Sequence, residues 1–136
     1  MDGRVTVVRS TERPASVGPA TPGMDRFDGS VAEDRWIGYV VTEAGVQSGW
    51  HHHGEKDTYV YVVRGSMELE SGPGGREVAS AGPGDFVHIP AGTVHREATT
   101  ADGPAEAVVV RIGRGQPVVN VEGPDPDHPS SNEVMP

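Results

Sequence analysis

Glycine and proline recur so often in this chain, 19 and 12 times in 136 residues, that no stretch can complete three turns of an amphipathic helix without interruption. What lies between the breaks is short and rich in Val, Ile, Tyr and Thr. Residues 36–42, 58–64 and 105–112 are apolar strand-type runs, and residues 66–71 alternate Met67 and Leu69 with Glu68 and Glu70, as a half-buried strand does. Tight turns at Gly72–Gly75 and at Gly82–Asp85 separate further strands expected at 76–80 and 86–89, and 117–121 is a candidate last strand. At the N-terminal end, the β-branched run 4–9 is expected to form an edge strand. Residues 11–30 are expected to be a long connection pinned only by Met24 and Phe27. Many short strands joined by glycine and proline turns predict an all-β sandwich or barrel.

The length suits one domain, residues 1–136, with an arm over 1–35, a barrel over 36–122 and a Pro-rich tail over 123–136 that carries His128. Eleven Lys and Arg against twenty Asp and Glu give a net charge of −9, and no basic cluster occurs, so neither nucleic acid nor an anionic membrane surface is an expected partner. The absence of cysteine removes disulfides, thiolate metal sites and a Cys nucleophile, which leaves His and carboxylate as the only strong metal donors. No apolar run approaches the roughly 18 residues of a membrane span, and the N-terminus lacks a secretion-type hydrophobic core, so a cytoplasmic location is expected.

The chemistry concentrates at His51-His52-His53. In a strand, residues i and i+2 share a face, so His51 and His53 project together, with Cα atoms about 6.6 Å apart, while His52 turns away. A second informative stretch runs from Gly84 to Thr99 and holds Pro90, Gly92 and His95. Together the two stretches resemble the cupin motifs G-x5-H-x-H-x3,4-E-x6-G and G-x5-P-x-G-x2-H-x3-N. Gly45, His51, His53 and Gly65 fit the first, and Gly84, Pro90, Gly92 and His95 fit the second. Two positions depart from the pattern: Thr58 stands where the family has glutamate, and Thr99 where it has asparagine.

This resemblance implies a double-stranded β-helix, a jelly-roll barrel, with a divalent metal held by His51, His53 and His95. Fe(II) is the first expectation, with Zn, Ni, Mn or Cu as alternatives, since imidazole suits all of them. Without the glutamate, three neutral imidazoles would leave the ion its full charge and an open position suited to a chelating, oxygen-rich substrate. The reaction expected first is of dioxygenase type. A redox-neutral isomerase, cyclase or lyase reaction, or a non-catalytic ligand-binding role, are the alternatives. Glu55 and Asp57, near the departed position, are candidate replacement carboxylates; Thr58, Gln47 and His88 are candidate catalytic groups. If Thr58 faces the metal, Val60 and Val62 line the interior and Tyr59 and Tyr61 point outward, which suggests a homodimer.

Overall fold

The structure is a computed structural model, which describes residues 3–17, 21–115 and 118–124. Its strands are β1 (Met24–Ala32), β2 (Arg35–Thr42), β3 (His51–His52), β4 (Asp57–Arg64), β5 (Met67–Ser71), β6 (Glu77–Ala81), β7 (Phe86–Ile89), β8 (His95–Thr99), β9 (Ala105–Ile112) and β10 (Val119–Asn120). Every pairing is antiparallel. One five-stranded sheet has the order β1-β2-β9-β4-β7 and the other β10-β3-β8-β5-β6; apart from the hairpins β1-β2 and β5-β6, chain neighbours alternate between the sheets, as in the expected jelly roll. Among the described residues no helix is long and apolar enough to cross a membrane.

Alternation sets the core. Val60 and Val62 of β4 are buried, as are Ala107 and Val109 of β9, and they pack with Ala81, Trp36, Val40, Met67 and Val87. Tyr59 and Tyr61 lie on the other face at 42% and 39% exposure, Tyr59 stacked on His88 and Tyr61 against Phe86. Gly65, which ends β4 at a φ of 75°, has no room for a side chain, because a Cβ there would sit 2.2 Å from the Pro104 carbonyl oxygen.

The N-terminal region departs from expectation in two places. Residues 4–9 form no strand, and Val5, Val7 and Val8 are exposed; β-branched composition favours an extended chain but supplies no pairing partner. The expected connection 11–30 instead contains most of β1, which pairs with β2 along nearly its whole length and shifts register between Asp28 and Ser30, beside Gly29. The barrel therefore begins inside the stretch assigned to the arm. Residues 10–16 lie over β1: Ala15 bridges Phe27, and the Arg13 guanidinium sits over the Phe27 and Tyr39 rings at 5.5 and 4.4 Å. Within 117–121, β10 pairs Val119 with His52 and Asn120 with His51. His128 and the tail beyond residue 124 lie outside the described residues.

Candidate metal centre

Three imidazoles meet at one end of the barrel interior. β3 and β8 pair so that His51 lies directly opposite His95, and directly opposed residues of an antiparallel ladder project to the same face. His53, just beyond β3, joins them by parity. All three are buried, their ring centroids are 4.4–5.1 Å apart, and their donor atoms lie within 4.8 Å of one another. His52 points away, as expected, and accepts a hydrogen bond from the Gly54 N–H at 3.0 Å through Nδ1.

The backbone fixes two of the rings. His51 Nδ1 donates to the Gly49 carbonyl and His95 Nδ1 to the Thr93 carbonyl, both at 2.9 Å. A carbonyl only accepts, so the proton sits on Nδ1 and each neutral ring presents its Nε2 lone pair to the interior. His95 Nε2 is buried and makes no hydrogen bond. An orphaned lone pair between two further imidazoles fits a divalent ion, which takes nitrogen donors at about 2.0–2.1 Å.

Glu97 is a residue beside the cluster that the sequence reading missed. It follows His95 by two positions on β8 and so shares its face. Its Oε1 lies 3.7 Å from His51 Nε2 and its Oε2 lies 3.6 Å from His95 Nε2, with the side chain 17% exposed. Burial alone would raise the Glu97 carboxyl; the imidazoles of His95, His51 and His53 outweigh it and pull the value down to about 2. Burial works to lower His95, but the Glu97 carboxylate more than offsets it and His95 is raised. At His51 burial prevails and the value falls. A carboxylate therefore stands beside the three-histidine group, supplied by β8 and not by position 58, Glu55 or Asp57.

The other candidates are placed elsewhere. Asp57 accepts from His88 Nε2 at 3.1 Å and from the Ala91 N–H at 3.2 Å, and Glu55 is exposed, so neither stands in for the family glutamate. His88 is exposed and stacks on Tyr59, because it has outward parity on β7. Gln47 is exposed and bridges Ala98 through its backbone. Thr58 does face the interior, 1% exposed, with its hydroxyl unpartnered. Thr99 accepts from the Val46 N–H at 3.0 Å and donates to the Glu43 carbonyl at 2.6 Å, and so pins the segment leading to β3.

Two adjoining cavities open on the cluster. The polar one, about 100 Å³, is lined by His51, His53, Glu97, Arg26, Arg111 and Asn120 among others. The deeper, mostly apolar one, about 70 Å³, shares His53, Glu97, Arg26 and Arg111 and extends past Thr58 to Val60, Ala107 and Val109. Together they admit only a small molecule. Arg111 has inward parity on β9, its guanidinium lies 5.3 Å from the Trp36 ring, and burial pulls its value down to about 10 against the opposing pull of Glu97.

A closed, all-antiparallel double-stranded β-helix with a three-histidine cluster in its mouth defines the class. The chain belongs to the cupin family, whose domain model matches residues 38–111. No curated protein sequence matches it significantly. Among solved structures it is similar to the polyketide cyclase RemF from Streptomyces resistomycificus (23% identity over 87% of this chain and 86% of that one, TM-score 0.73). It is also similar to KdgF from a Halomonas species (22%, 81% and 96%, TM-score 0.67). A third likeness is to a cupin-superfamily sugar phosphate isomerase from Silicibacter pomeroyi (27%, 74% and 69%, TM-score 0.59).

Proposed function

We propose that this chain is a metal-dependent cupin that acts on a small, oxygen-rich carbonyl compound, with His51, His53 and His95 as the metal-holding residues. The observation that carries this reading is the buried set of three convergent imidazoles, two of them locked by the backbone with Nε2 inward, beside the Glu97 carboxylate. When bound, a divalent ion would supply Lewis acidity and a template for carbonyl or enolate oxygens. Glu97, held ionised, cancels part of the added charge and is placed to accept a proton or hydrogen bond from whatever occupies the polar cavity. The apolar cavity excludes water from the substrate body.

A proton acceptor beside the cluster favours redox-neutral enolisation, of the isomerase, cyclase or lyase kind, over the dioxygenase chemistry placed first on sequence grounds. Two similar structures, a polyketide cyclase and a sugar phosphate isomerase, support the same order. The test is metal analysis of protein purified without nickel resin, followed by incubation with 1,3-dicarbonyls and hydroxyketones in heavy water. Metal-dependent exchange of α-protons without oxygen supports the reading; oxygen uptake with substrate moves the assignment to a dioxygenase. Ligand affinity that survives loss of metal and replacement of His51 and His95 by alanine leaves a binding module and sinks both. A homodimer through the Tyr59, Tyr61 and Phe86 face belongs to the same proposal, and light scattering giving the mass of a single 14.3 kDa chain would remove it.

A further inference from the structure

Two enclosed donors in the barrel interior have no acceptor. Thr58 of β4 and Arg111 of β9 are directly opposed in the ladder, so their Cβ atoms are about 4.5–5.5 Å apart on the inward face. The Thr58 hydroxyl and the Arg111 Nε are both buried without a hydrogen bond, and among the described residues Arg111 forms no ion pair. A buried polar group left unmatched is costly, and a guanidinium more so, which makes an unmatched neighbouring pair a poor structural device. The cation–π contact with Trp36 positions the Arg111 guanidinium but does not supply the missing acceptor.

We propose that Arg111 and Thr58 form the subsite for an anionic group of the substrate, a carboxylate or a phosphate, with Arg26 at its rim. This rests on the reading of the histidine cluster as a metal centre, because the same cavities join the two: His53, Glu97, Arg26 and Arg111 line both. Glu97 lies against the imidazoles, and on the facing wall of the shared cavity the Arg111 Nε and the Thr58 hydroxyl are left without an acceptor. A planar guanidinium with a hydroxyl beside it matches the oxygens of either anion. The Thr58 departure from the family motif then has a positive meaning. A glutamate there would face Arg111 across the ladder and neutralise it, whereas threonine leaves the arginine for a ligand and adds a donor. The substrate class becomes a carbonyl compound that carries an anionic group a short distance from its metal-binding oxygens.

The test compares charged and neutral partners by calorimetry on zinc-loaded and metal-free protein: acetoacetate against methyl acetoacetate, and dihydroxyacetone phosphate against dihydroxyacetone. In both forms of the wild type the charged member of at least one pair is expected to bind tenfold or more tighter, and the winning pair identifies the group. Arg111→Gln should erase that preference while zinc content stays within twofold; Thr58→Glu should erase it too; Arg111→Lys should keep part of it and guards against loss by misfolding, which the melting temperature also checks. Equal affinities within both pairs for wild type, or a preference that survives Arg111→Gln, would overturn the proposal. Failure to take up zinc with the Arg111-dependent preference intact would sink the metal reading alone.

Discussion

The two sheets that face each other across the barrel contribute different kinds of side chain to its interior. The sheet β10-β3-β8-β5-β6 brings His51, His53, His95 and Glu97 from or beside β3 and β8, and is built of strands no longer than five residues. The sheet β1-β2-β9-β4-β7 brings Arg26, Arg111 and Thr58 from β1, β9 and β4, strands of eight or nine residues in long ladders. The imidazoles proposed to hold a cation are on one wall, and Arg111 and Thr58, proposed to hold an anion, are on the other. The difference teaches that the two proposed roles, metal holding and anion holding, rest on separate walls, so each is open to mutation without the other.

The strongest way to break that separation is His95→Ala. It should lower metal affinity at least about 100-fold, beyond the effect of outer partners, as measured by metal content after dialysis against a competing chelator. Next, Glu97→Gln, which keeps shape but not charge, should cost about 10–100-fold in the same assay, while Glu55→Gln and Asp57→Asn leave it unchanged. A carboxylate effect at Asp57 in place of Glu97 would refute the assignment of β8 as the source.

Acid titration sharpens the comparison further. The Glu97 carboxyl is held below its ordinary 4.5, so its contribution to stability is present above that pH and is lost as pH falls toward about 2. Metal-free wild type should therefore lose melting temperature over that interval more steeply than Glu97→Gln does. The smallest effect is expected on the opposite wall. Thr58→Val removes an unsatisfied buried hydroxyl at nearly constant shape and should leave stability unchanged or raise it by about 1 kcal/mol in chemical denaturation, with metal content unaffected. A loss of more than that would show that the hydroxyl has a partner in the folded protein.

Local chemistry made much of this legible. Glycine and proline spacing placed the strands from β2 onward except β8, which carries His95, and parity aligned His51 with His53 and turned Tyr59 and Tyr61 outward. β1 was obscured because Asp25, Arg26, Asp28, Gly29 and Ser30 give it the composition of a loop; what makes it a strand is the free edge of β2. The run 4–9 failed for the converse reason, strand composition without an edge to join. Glu97 obeys the same i, i+2 rule as the histidines, but it falls on an unspecified position of the second motif, so the motif spacing does not mark it. The opposition of Thr58 and Arg111 is a matter of register between β4 and β9, which no single strand encodes.

The core between these walls is made of small side chains, Val60, Val62, Ala107 and Val109. Since the imidazoles ride on one sheet and the guanidinium on the other, the thickness of that filling sets the span between them, much as a spacer sets the jaws of a calliper. On the proposed reading, enlarging Ala107 or trimming Val62 would change the length of ligand that fits between the two walls without altering the histidines, Arg111 or Thr58.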